Sequence, residues 1–69
     1  MPLTMVRVGE SGEIKKITGK DEVHRHLNNL GFVEGTRITV VSEYAGNLIL
    51  QVKDARIALD KSMARRILV

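Results

Sequence analysis

His24 and His26 are the residues of this chain best suited to acid–base or metal chemistry, and their spacing limits what they can do together. Both fall within Asp21–Leu30, where Val23, Leu27 and Leu30 stand at i, i+4 and i+7 and mark one face of a helix. Two positions along a helix amount to about 200° of rotation, so the rings point away from one another. A nucleophile with its base needs Ser, Thr or Cys set against His and a carboxylate. Cys is absent, and the Ser and Thr residues fall mostly in strands and turns, where β propensity or capping accounts for them. The chain is not expected to be an enzyme. A helical metal pair needs ligands at i and i+3 or i+4, which Glu22 and His26 provide. Two ligands on an exposed helix make only a weak site, one that a second molecule would have to complete. The plainer reading is a surface Glu and a polar His flanking the apolar stripe, and no cofactor is expected. The glycines form neither GxGxxG nor GxxxxGK[ST], so no phosphate loop is present and Gly serves turns and caps.

The elements that would position these residues are short. Sixty-nine residues make one domain spanning 1–69, with a thin stability margin. Leu3–Val8 reads as a first strand ending at the Gly9–Gly12 turn, and Glu13–Thr18 as a second. Ile14 and Ile17, three apart, break strict alternation there, which implies a β-bulge or an early exit from the strand. Asp21 is the N-cap of the helix, and Gly31 its left-handed C′ residue. Thr36–Ser42, Leu48–Lys53 and Arg56–Leu59 alternate as strands, with a hairpin loop at Glu43–Asn47. Asp60–Arg65 reads as a capped helical turn, and Arg66–Val69 as a last short strand. The expected architecture is mostly β: a small, strongly bent barrel of five to six strands with one inserted helix over about residues 21–30.

Charge and aromatic content exclude further classes. Eleven Lys and Arg against eight Asp and Glu leave +3, with acids interspersed almost throughout. The nearest thing to a basic cluster is Lys61, Arg65 and Arg66, whereas a nucleic-acid binder normally gathers its charge into a patch or stripe. Phe32 and Tyr44 are the only aromatics, too few to line a proline-rich peptide groove or to stack bases. No nucleic-acid partner is expected. No apolar run is long enough to span a membrane, and Met1–Met5 lacks the basic-then-apolar pattern of a signal peptide. The expectation is a soluble cytoplasmic protein. What remains is an interaction surface. Leu30, Phe32 and Val33 surround the helix C-cap, where such residues are usually core, Leu30 from the helical face and Phe32 closing the cap. Val33, Ile49, Ala58 and Leu68 fall on the outward phase of their segments. A contiguous apolar patch among them would mark a docking site. The candidate partner-binding residues are therefore Leu30, Phe32, Val33, Ile49 and Leu68.

Taken together, Gly9-Glu10-Ser11-Gly12-Glu13-Ile14, a helix ending Leu27-Asn28-Asn29-Leu30-Gly31-Phe32, Glu34-Gly35-Thr36-Arg37-Ile38-Thr39-Val40, and the close Ile57-Ala58-Leu59, Ala64, Ile67-Leu68-Val69 resemble the ferrous iron transport protein A (FeoA) family. The resemblance covers essentially the whole chain. It departs at Glu34, where the family often has Pro before the glycine, and near Asp54, where it often has Gly in the tight turn. It implies an SH3-like barrel of the cytosol that accompanies FeoB, a membrane ferrous iron transporter with a cytosolic GTP-binding domain. Attachment to the membrane would then be peripheral, through that partner. The family brings no agreed catalytic residues and no cofactor. Two other readings stay open: a basic nucleic-acid-associated barrel using Lys61, Arg65 and Arg66, and a weak metal module using Glu22 and His26. Self-pairing of exposed strand edges into a homo-oligomer also stays open.

Overall fold

A computed structural model describes all residues, 1–69. Three strands in its middle carry the clearest sequence pattern and form the body of the fold. Strand β3 (Arg37–Tyr44), β4 (Asn47–Val52) and β5 (Ala55–Asp60) run antiparallel in succession. Strand β1 (Ser11–Glu13) pairs with the other edge of β3, giving the order β1-β3-β4-β5. On β4, Leu48, Leu50 and Val52 are buried while Asn47, Ile49 and Gln51 face outward, as period-2 alternation requires. A register shift between Val40 and Ser42 inserts Val41 as an extra residue and bends β3. The β3–β4 hairpin turns on Ala45 and Gly46, both at positive φ (52° and 81°), the pattern of a type I′ turn. At the β4–β5 turn, Lys53 carries φ of 54°.

The helix α1 (Glu22–Asn29) follows its sequence signals closely. The Asp21 carboxylate accepts from the His24 backbone N–H at 3.2 Å and so caps the first turn. Leu27 is fully buried, with Val23 and Leu30 packed partly against the core. At the other end the Phe32 N–H donates to the Leu27 carbonyl and the Gly31 N–H to that of Asn28. That is a Schellman closure, with Gly31 at φ of 104°, and it swings the Phe32 ring into the core. A second, one-turn helix α2 (Lys61–Ala64) starts as expected at Asp60, whose carboxylate accepts from Met63 N–H at 2.8 Å and Ser62 Oγ–H at 2.7 Å.

Two expected strands take a different form. Leu3–Val8 is not a strand: Leu3–Met5 form a 3₁₀ turn, with Met5 N–H donating to the Pro2 carbonyl and Val6 N–H to that of Leu3. Pro2 has no N–H for a ladder, and its fixed φ of −65° opens the tight turn. Nor is Glu13–Thr18 one strand with a bulge. The chain leaves the four-stranded sheet after β1, and Lys16–Ile17 forms β2, which pairs with β6 (Ile67–Leu68) in a separate two-stranded sheet. Ile14 sits at the crossing, with its N–H on the Thr36 carbonyl and its carbonyl accepting from Gly35 N–H. Because the chain changes sheets between them, Ile14 and Ile17 both point into the core despite their spacing. The termini close the structure: Val69 N–H donates to the Met1 carbonyl, the Met1 ammonium donates to the Val69 carbonyl, and Pro2 bridges Leu68.

The result is mostly β, six strands in two sheets with two short helices. Its core gathers thirteen buried residues, every one apolar, from all parts of the chain. With no polar side chain buried, any chemistry of this protein is carried on its surface.

Candidate partner-binding surface

The structure sorts the five candidate contact residues by burial. Phe32 is fully buried and is corrected from contact candidate to core residue, because the Schellman closure turns its ring inward. Val33, the next residue, is 38% exposed at the start of the turn, with its carbonyl accepting from Thr36 N–H. Leu30, the C-cap of α1, is half-buried and rests on the core. Ile49 lies half-buried on the outer face of β4, between Ser42 of β3 and the exposed Ala58 of β5. Leu68 is half-buried on β6, flanked by Lys16 and Pro2. Leu30 and Val33 thus belong to one continuous helix–turn segment. The pairings that hold Ile49 and Leu68 place those two in different sheets.

Sequence reasoning missed other exposed apolar groups. Met1, Met5 and Val8 are 63%, 67% and 57% exposed. A strand through Leu3–Val8 would have set Leu3 and Met5 on the same face, and the 3₁₀ turn separates them instead. Tyr44 projects from the β3–β4 hairpin at 75% exposure. The hairpin loop expected at Glu43–Asn47 already includes Tyr44, so its place at the tip was readable although it was not named as a contact residue.

The ionic groups around this surface are engaged with one another. The Arg66 guanidinium donates from Nη1 to both carboxylate oxygens of Asp21, at 2.8 and 2.9 Å, tying the start of α1 to the approach of β6. Gly19 leaves room for that arm, since a Cβ there would stand 2.8 Å from Nη1. Lys61 pairs with Glu43 at 2.5 Å. Two of the three cations in the C-terminal basic set are therefore already matched by carboxylates, which leaves Arg65 as the unmatched member. That arrangement disfavours the nucleic-acid reading.

Glu22 and His26 lie exposed one turn apart on α1, as their spacing requires. No group of three His, Asp or Glu side chains stands close enough to hold an ion, so the pair gains no third ligand from the fold. The His24 ring, by contrast, is held in place, with Nδ1–H donating to the Gly19 carbonyl.

Both capping carboxyls titrate below the ordinary Asp value of 3.8: Asp21 through the Arg66 hydrogen bonds and then the His24 N–H, Asp60 through the Met63 N–H and then the Ser62 hydroxyl. Each folded-state carboxyl binds its proton less readily than its unfolded counterpart. The stability they contribute is therefore complete above about pH 5 and is lost as pH falls through the depressed values. The urea midpoint is expected to stay level between pH 7 and about pH 5 and to drop below about pH 4. The double variant Asp21→Asn, Asp60→Asn should flatten that drop. An equally steep drop in the double variant would contradict the assignment.

Comparison with known proteins agrees with this architecture. The FeoA domain model matches residues 1–69. A crystal structure described as the iron uptake regulatory protein (FeoA) is 30% identical, with a TM-score of 0.86 over 96% of this chain and 88% of that one. A zinc-complexed FeoA of Stenotrophomonas maltophilia, described as a procaryotic SH3 domain protein, is 28% identical, with a TM-score of 0.87 over 99% of this chain and 87% of that one. Iron(II) transport protein A of Clostridium thermocellum is 27% identical, with a TM-score of 0.92 over 99% of this chain and 43% of that one. No curated protein matches the chain. No helix is long and apolar enough to cross a membrane. With an SH3-like fold and a family match along its whole length, the chain belongs to the FeoA family, which is associated with ferrous iron transport.

Proposed function

We propose that this protein is a cytoplasmic accessory of ferrous iron uptake that works by contact with the cytosolic part of a FeoB-type membrane transporter, with no catalysis of its own. The match of all 69 residues to the FeoA family carries this reading. The surface supports it: the segment Leu30–Val33 leaves α1 with Phe32 anchored in the core and Val33 exposed beside it. An apolar side chain on a rigid, core-anchored turn is pre-organised for docking, because little conformational freedom is lost when the partner covers it. Leu30, Val33, Ile49 and Leu68 remain the contact candidates, and Phe32 serves as their support from beneath.

Calorimetry of the wild-type protein against the purified cytosolic part of the transporter tests the reading. Val33→Asp places a charge where an apolar contact is proposed and should weaken binding about tenfold or more. Its thermal stability should change little, because the position is 38% exposed. Full affinity in Val33→Asp would remove the helix–turn segment from the contact. No binding by the wild type would remove the transporter reading itself.

A further inference from the structure

The fold leaves one surface cleft, of about 490 Å³, lined by Gly35, Thr36, Arg37, Thr39, Gln51 and Lys53. It lies on the outer face of the four-stranded sheet. Cross-strand register builds it: Thr39 stands between Ser11 and Gln51, and Gln51 faces Arg56. Because Ile38 pairs with Val52, Arg37 and Lys53 arrive side by side at the same end of the sheet. Neither forms an ion pair, although the Arg66–Asp21 and Lys61–Glu43 pairs form elsewhere on the molecule. Arg37 lies opposite Glu13 in the β1–β3 register without a salt bridge to it. Arg56 adds a third cation at the margin, with Nε–H donating to Gln51 Oε1 at 3.1 Å, while the Gln51 Nε2–H donates to the Lys53 carbonyl at 2.9 Å. The Gln51 amide is thus locked between the two basic residues.

We propose that this cleft binds an extended acidic peptide segment, its carboxylates meeting Arg37, Lys53 and Arg56 and its backbone the Thr36 and Thr39 hydroxyls. The lining contains cations and neutral donors and no carboxylate, so its charge is complementary to a run of Glu or Asp. The walls are open sheet surface, which suits an extended chain better than a compact small molecule. Glu13, Glu34 and Asp54 neighbour the lining residues in sequence or register. They confine the favourable charge to a short stretch, which a few residues can span while a continuous phosphate backbone would run on against the flanking carboxylates. Lys53 supports the same assignment, since it holds a left-handed conformation that glycine adopts without strain and yet supplies a charged side chain to the cleft. The proposal does not rest on the transporter reading.

The test is a chemical-shift titration of the intact protein with blocked hexaglutamate, with a single-stranded oligonucleotide as competitor class. Saturable shifts confined to Thr36–Thr39, Gln51–Lys53 and Arg56, weakening as salt is raised, are expected. Arg37→Glu should weaken binding about fivefold, while Arg25→Glu, on the exposed face of α1, leaves it unchanged. Lys53→Gly separates binding from folding: its melting temperature should rise as the strained backbone is relieved, and its affinity should fall. Absent shifts, shifts spread over all basic residues, equal effects of Arg37→Glu and Arg25→Glu, or tighter binding of the oligonucleotide would each overturn the proposal.

Discussion

Phe32→Ala should remove a large part of the domain's stability at 25 °C. Phe32 is fully buried and heads the buried side chains by volume, in a core of only thirteen residues. Truncating such a ring typically costs about 3–5 kcal/mol, from lost transfer energy and the cavity left behind. A domain of this length has roughly 3–10 kcal/mol in total. The backbone cannot readily collapse to fill the gap, because the Phe32 N–H is committed to the Leu27 carbonyl in the helix closure. Urea unfolding followed by circular dichroism measures the loss. A change below about 1 kcal/mol, the range of surface sites, would contradict the burial of the ring and return Phe32 to the contact surface.

Leu3→Ala should cost about 2–5 kcal/mol, whereas Met5→Ala should cost less than about 0.5 kcal/mol. The contrast is specific to the 3₁₀ turn. In a strand through Leu3–Val8, these two side chains would share a face and would respond alike to truncation. In the structure Leu3 is 0% exposed and Met5 67%. Parallel urea titrations of the two variants decide between the conformations, and comparable losses would restore the strand.

These two variants also mark where the sequence was readable. The helix was legible at both ends, because a capping Asp21 and a closing Gly31 are local signals whose effect needs no distant partner. The alternation of Ile38 and Val40, then of Leu48, Leu50 and Val52, was legible for the same reason, since one buried face imposes period 2. The path of the first eighteen residues was not. Whether Ile14 and Ile17 belong to one strand depends on β3 and β6, which arrive far later in the chain. Leu3 likewise is placed by the pairing of Pro2 with Leu68 and of Met1 with Val69.

The candidate contact surface was partly legible. Outward phase correctly marked Val33 as exposed, and it marked Ile49 and Leu68 as facing away from the core without foreseeing that each is half covered by its neighbours. Phe32 could be placed either as core or as contact from the sequence, because the same closure that ends the helix decides which way the following side chain turns. The polar cleft went unseen although Thr39 and Gln51 alternate with core residues. Its cations come together only through the pairing of β3 with β4, a feature of register rather than of any local motif.

Proposed contact with a FeoB-type transporter through the helix–turn segment is measured residue by residue by titrating isotope-labelled protein with the transporter's cytosolic GTP-binding part. Saturable shifts are expected at Leu30 and Val33, extending to Ile49 or Leu68, with the buried Phe32 following its neighbours. Spectra unchanged at saturating partner would contradict that contact.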